Sequence, residues 1–251
     1  MNYIILASII LFALYLNKSL SKASTDALAK AIFDQYMESG NPITMEEAVA
    51  IAKQAINVKL TPVEKRVMVY ADIIMNEGYG QRMDPAAIAA VIHIESEGNP
   101  YAYRKEYDNG VHYATSYGLM QLLDPTANWL KKLEPSLKYN GAASKDTPGN
   151  LYDLGVNVEI GTYYLRYQFT RYNRLKFAFA GYNAGTCFVQ LLGYVKECKT
   201  GSTPPFVNSV GNTNVNDYVT KVCIVLNRYR MIFAAKYPEY SSMFPNTAYR
   251  I

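Results

Sequence analysis

The chain has 251 residues, half of them hydrophobic, with 18% charged residues and a formal net charge of +4. That composition excludes a disordered, charge-rich chain and supplies enough apolar side chain for one good core or two small ones. The basic residues are scattered, without the dense run that polyanion binding uses, so a nucleic-acid partner is not expected.

Residues 3–16, YIILASIILFALYL, are almost wholly apolar. The run is shorter than the ~20 residues a membrane helix needs. It suits a signal-peptide core, and Ser21-x-Ala23 offers small residues for cleavage. Lys18 and Lys22 follow the run, however, an order that by the positive-inside tendency holds the body in the cytoplasm. A signal, an uncleaved anchor and a helix buried in an assembly all remain open from these residues.

Residues 24–40 read as a polar–apolar helix or tether. Thr44-Met45-Glu46-Glu47 has the pattern of a capping box, and Thr61-Pro62-Val63-Glu64 repeats it with proline at the first helical position. The second box starts a helix carrying Val67, Val69, Tyr70, Ile73 and Ile74, with Gly78 placed to stop it. Asp84-Pro85 opens the next helix, 84–97, which Gly98-Asn99-Pro100 closes.

Glu95 is the most informative residue of that helix. Positions three, four and seven before it are Ile92, Val91 and Ile88, so one carboxyl shares a face with an apolar stripe in the last turn. An apolar setting penalises the ionised form, and so does the negative end of the helix dipole. Both favour a carboxylic acid that keeps its proton near neutral pH, the state a general acid needs. The plainer alternative is a solvated glutamate at a helix end. Glu97 falls about 200° around the helix from Glu95 and is a poor partner for it.

Residues 99–117 read as a polar, tyrosine-rich loop. Helices follow at 124–133, 151–170, 175–184 and 215–236, separated by turn-rich stretches at 140–149 and 193–211 and ended by an irregular tail at 237–251. No alternating strand pattern of useful length and no internal repeat is present, so the fold class is mainly α. Most of the 23 tyrosines are expected to pack at helix boundaries, although their faces can also stack on sugar rings.

Cys187 and Cys198 can close a short loop if the domain is exported, and Cys223 sits in an apolar helical pattern as a buried small hydrophobe. No C-x-x-C occurs and there are two histidines, so no zinc site is expected. His93 reads as a packed or surface helix residue, and His112 as an exposed loop residue.

In order, the chain carries Glu95-Ser96, Asn99-Pro100, Ala102, Gly118-Leu119-Met120-Gln121, Pro125-Thr126-Ala127, Asn157, Gly161-x-x-Tyr164-Leu165, Tyr182-Asn183-Ala184-Gly185 and Asp217-Tyr218-Val219. This series resembles the lytic transglycosylases with a lysozyme-like domain, kin to goose-type lysozymes, over roughly residues 61–229. The resemblance implies cleavage of the β-1,4 bond between N-acetylmuramic acid and N-acetylglucosamine in peptidoglycan, with formation of a 1,6-anhydro ring and without metal or cofactor. It implies Glu95 as the sole catalytic carboxylate, acid first and base second. Gln121 is implied to line the cleft with Met120 beneath it, Tyr182 to orient Glu95, Asn183 to shape the turn, and Ser116 to meet the substrate's N-acetyl group. The stretch 101–114 is longer than the family pattern, and Tyr117 rather than a small residue precedes Gly118.

The expected organisation is an apolar anchor or signal at 1–23, a helical lead-in at 24–60, a lysozyme-like domain at 61–235 and a tail at 236–251. The expected partner is the peptidoglycan glycan strand. Residues 3–16 offer membrane, virion or secretion-machine attachment, and the expected location is the periplasm or cell envelope, or a virion. Two alternatives stand beside this reading. Glu106 or Asp108 in the insert would allow a hydrolysing, inverting muramidase, although both also read as solvated loop charges. A lysozyme-like fold can also serve as a non-catalytic wall-binding or assembly component.

Overall fold

The computed structural model describes residues 42–57, 59–141, 147–185, 212–237 and 240–244, with six isolated positions between 26 and 37. The apolar run 3–16, the cleavage signal at 21–23, Cys187, Cys198 and the loop 193–211 lie outside the described residues. Among the described residues no helix is long and apolar enough to cross a membrane. The chain divides into two compact units, one of residues 61–226 with 249–251, the other of residues 1–60 with 227–248.

In the smaller unit, α1 (Met45–Asn57) starts at the expected box. The Thr44 amide donates to Glu47 Oε2 at 2.7 Å, and the Glu47 amide donates to Thr44 Oγ1 at 3.1 Å. Ala29, Ala48 and Ala52 form its buried centre, with Phe33, Ile43, Val49 and Ala235 packed around them.

The larger unit is helical with one small sheet. Its elements are α2 (Pro62–Met68), α3 (Ala71–Gln81), α4 (Pro85–Ser96), β1 (Tyr103–Asp108), β2 (Val111–Tyr117), β3 (Leu122–Leu123), α5 (Asp124–Leu133), α6 (Leu154–Tyr172) and α7 (Leu175–Ala184). The helix α8 (Asn212–Lys236) follows, and the short α9 (Tyr240–Met243) comes last. Thr61 completes a reciprocal box with Glu64 at the start of α2. Asp84 accepts from the Ala86 amide at 2.9 Å and Pro85 takes the first position of α4.

The helix α4 is the centre of the core. Every residue from Pro85 to Ile92 is buried, so the apolar stripe inferred from spacing is one side of a helix enclosed all round. Its end is abrupt: Glu97 and Gly98 both take left-handed backbone, with φ of 52° and 78°. Gly78 does not stop α3. It lies inside that helix, where a Cβ would stand 2.6 Å from Pro85 Cγ, so its lack of a side chain lets α3 and α4 meet.

Residues 101–117 are not a loop. They form a hairpin in which Tyr103 pairs with Tyr117, Arg104 with Ser116, Lys105 with Thr115 and Glu106 with Ala114, before the register slips between Glu106 and Tyr107. Asn109 and Gly110 turn it with φ of 48° and 79°, the backbone that a two-residue hairpin turn demands. The third strand joins through Ser116–Leu123 and Tyr117–Leu122 pairs. His112 belongs to β2 and is half-buried, its Nε2 lying 3.1 Å from Thr115 Oγ1. Cys223 is half-buried on α8 rather than buried.

Candidate active site

Three chain segments meet around the end of α4. The first is the hairpin β1–β2. The second is the Gly118–Gln121 turn between β2 and β3. The third is the pair of α7 with the first turns of α8.

The turn is fixed from below by Asn157 on α6. That side chain is 1% exposed. Its Oδ1 accepts from the Met120 amide at 2.8 Å, and its Nδ2 donates to Tyr117 O at 3.0 Å and Leu151 O at 2.8 Å. Gly118 has φ +77°, and a Cβ there would stand 2.3 Å from Asn157 Nδ2. Only glycine meets both demands at once. Gln121 is also left-handed, at φ 46°. Its Nε2 donates to Gly118 O at 2.9 Å and to Ala102 O at 3.0 Å, tying the turn to the start of the hairpin.

Glu95 is half-buried. Its Oε1 accepts a hydrogen bond from the Tyr218 hydroxyl at 2.8 Å. Burial pushes its carboxyl up to about 7, against lowering influences from the Arg104 guanidinium and the Tyr218 hydrogen bond, with Glu106 adding to the rise. Burial and the neighbouring Glu95 hold the Tyr218 hydroxyl well above its ordinary range, so it stays a donor.

Two cavities open against this carboxyl. The larger, about 370 Å³, is lined by Glu95, Arg104, Glu106, Asn183, Asp217, Tyr218 and Lys221 among others. The smaller, about 80 Å³, is lined by Glu95, Arg104, Glu106, Ser116, Gln121 and Tyr182 among others. Glu95, Arg104, Glu106 and Asn183 therefore border both.

The structure brings five of the six residues expected from sequence to these walls: Glu95, Ser116, Gln121, Tyr182 and Asn183. Met120 is fully buried, and a Cβ on Gly161 would stand 2.3 Å from its sulfur, so it lies as a floor beneath the cleft rather than on its wall. Ser116 is 1% exposed, and its hydroxyl lies 3.0 Å from Gln121 Oε1 and 3.2 Å from Glu106 Oε1. It braces those two side chains instead of presenting itself to a ligand. Tyr182 does not hydrogen-bond Glu95: its hydroxyl donates to Met120 O at 2.8 Å. The tyrosine that holds Glu95 is Tyr218.

Glu106 is no solvated loop charge. Its side chain is 15% exposed and accepts from Arg104 Nε at 2.7 Å. The side chain of Asp108 lies outside the described residues. Glu97 points away, pairing with Arg66 at 3.1 Å on the surface. His93 is half-buried, and burial lowers its proton affinity. Among the described residues no three His, Cys, Asp or Glu side chains converge as a metal-ligand set.

Residues 72–194 match the description "Transglycosylase SLT domain". The membrane-bound lytic murein transglycosylase E of Buchnera aphidicola is 30% identical over 96 residues, which are 38% of this chain and 38% of that protein. The crystal structure of the 70 kDa soluble lytic transglycosylase from Escherichia coli superposes with a TM-score of 0.52 at 24% identity, covering 90% of this chain and 33% of that one. The lytic transglycosylase Slt of Pseudomonas aeruginosa, solved as an inactive mutant, gives 0.50 at 18% identity with the same shares. The chain thus spans about a third of the length of these solved structures, which share its fold. Residues 72–194 of this lysozyme-like helical unit, with the site they build, thus carry a transglycosylase SLT domain.

Proposed function

We propose that the chain is a lytic transglycosylase that cuts the N-acetylmuramic acid–β-1,4–N-acetylglucosamine bond of peptidoglycan, with Glu95 as its acid and base. One observation carries this reading. A half-buried carboxyl at the junction of two cavities keeps its proton up to about 7 and is oriented by Tyr218. A glycan strand threaded through both cavities places its bridging oxygen beside that proton.

The proposed steps balance on one group. Glu95 gives its proton to the glycosidic oxygen, the C1–O bond breaks, and the glucosamine side leaves as an alcohol. The carboxylate so formed takes the proton of the muramyl C6 hydroxyl as that oxygen bonds to C1. The products are a 1,6-anhydro sugar and an enzyme with its proton restored. The substrate's N-acetyl oxygen assists at C1 between the two steps.

Glu106 favours a second reading. It borders both cavities with Glu95, so a water held by it would give a hydrolysing muramidase. Mass spectrometry of digested purified walls separates the two. Anhydro-muropeptides support the transglycosylase, and reducing ends heavier by one water support the hydrolase.

The apolar run at 3–16 supports attachment at the cell envelope and local opening of the wall, in a secretion machine or a phage particle. Fractionation of the native protein tests this: recovery in membrane or particle fractions supports it, and free recovery without the run defeats it.

A further inference from the structure

The hairpin β1–β2 turns a cation into the cleft. Side chains alternate along a strand, and Arg104 and Glu106 line the cavities while Lys105 between them, and Tyr103 and Tyr107 flanking them at 66% and 53% exposure, lie on the open surface. Arg104 spends one donor on the protein, Nε to Glu106 Oε1 at 2.7 Å. The rest of its guanidinium has no hydrogen-bond partner among the described residues, and 57% of the side chain is exposed.

We propose that this cleft recognises a carboxylate carried by the muramyl sugar or by its appended peptide, with Arg104 as the receiving residue and Lys221 as a second cation on the wall of the larger cavity. The proposal rests on the reading of the cleft as a peptidoglycan site.

A guanidinium is a planar fork of donors that matches a carboxylate two bonds at a time. Glu106 occupies Nε alone, and Glu106 is itself within reach of the Ser116 hydroxyl at 3.2 Å. That one bond restrains the guanidinium and leaves its other donors open, which lowers the ordering cost of a ligand. Glu95 forms no ion pair or hydrogen bond with it among the described residues; its Oε1 accepts from Tyr218 instead. Arg104 and Lys221 are the two cations on the wall of the larger cavity. Muramic acid differs from glucosamine by a lactyl ether ending in a carboxyl, free or joined to peptide, so a fork here distinguishes a wall strand from neutral chitin-like sugar. Binding an anion on Arg104 would also offset the main influence that lowers the proton affinity of Glu95, so substrate and proton would be gained together.

The test is calorimetric titration in a Glu95→Gln background, which binds without turnover. Three probes are used: a peptide-free muramyl–glucosaminyl tetrasaccharide, its peptide-bearing counterpart, and neutral N-acetylglucosamine tetramer. The proposal expects tighter binding of a charged probe than of the neutral one. It expects Arg104→Gln to shrink that preference by about tenfold or more, and Arg104→Lys to keep part of it. A loss confined to the peptide-free probe identifies the lactyl carboxylate as the ligand, and a loss confined to the peptide-bearing probe identifies a peptide carboxylate. An unchanged preference, or an equal loss for all three probes, overturns the proposal while leaving the glycan site standing. No binding of any probe with Arg104 intact overturns the glycan site itself and this proposal with it. Thermal unfolding of each variant confirms the fold, and Arg104→Lys carries the test should Arg104→Gln not fold.

Discussion

Glu95→Gln makes the protein more stable at high pH and leaves it unchanged at low pH. The folded protein holds the Glu95 proton up to about 7, whereas an ordinary glutamate releases it near 4.5. Between those values the folded state binds more protons than the unfolded chain, so stability falls as pH rises through that window and is flat on either side. Glutamine copies the shape of the protonated acid and still accepts from Tyr218, so the variant escapes the fall. The gap corresponds to about 3 kcal/mol, an upper figure because water partly screens a half-buried group. Urea unfolding of both proteins from about pH 4 to about pH 8 reads the difference directly. Equal stabilities near pH 4 that part by one to three kcal/mol (order of magnitude) near pH 8 are expected. A difference that stays constant across the range refutes the raised proton affinity.

Tyr218→Phe removes the hydroxyl that lowers the proton affinity of Glu95. The alkaline limb of kcat/KM should move to higher pH and the rate should fall by about tenfold, and an unshifted profile would contradict the assigned contact. Tyr182→Phe breaks the bond to Met120 O and should cost about 1 kcal/mol of stability without moving that limb. A moved limb would return the orienting role to Tyr182. Asn157→Ala strands three backbone groups and should cost about 3 kcal/mol in urea unfolding. A loss under about 1 kcal/mol would show that the turn does not depend on it. Gly118→Ala meets both a positive φ and a 2.3 Å contact with Asn157. It should cost more than about 1 kcal/mol, and a neutral variant would contradict that geometry.

Local rules made much of the helical frame legible. The boxes at Thr44 and Thr61 and the cap at Asp84 each need only a few neighbouring residues, and each appears where spacing places it. Glu95 was legible for the same reason, because its setting is the end of one helix. The hairpin escapes the periodicity reading because β1 has no apolar face: Arg104 and Glu106 line the cavities, and Tyr103 and Lys105 are exposed. Alternation of apolar and polar side chains had nothing to register. The missed signal was Asn109-Gly110, a turn pair flanked by β-forming residues. Arg104 and the true place of Glu106 were lost with the hairpin.

Contacts across long stretches of chain were the other blind spot. Tyr218 reaches Glu95 across 123 residues, and Asn157 reaches Tyr117 O across 40. Periodicity places each on a helix, but only packing brings them to the carboxyl and to the turn. Tyr182 shows the converse. Its motif marks the cleft correctly, yet its hydroxyl serves the cleft's floor and not its acid.

The most direct test of the proposed chemistry is the clearing of purified cell walls by wild-type protein and by Glu95→Gln, at equal concentration and with the variant's fold confirmed. Loss of clearing by a factor of about a hundred or more is predicted, because the variant has no proton to give the bridging oxygen. Clearing at the wild-type rate would contradict the assignment of Glu95 as the acid.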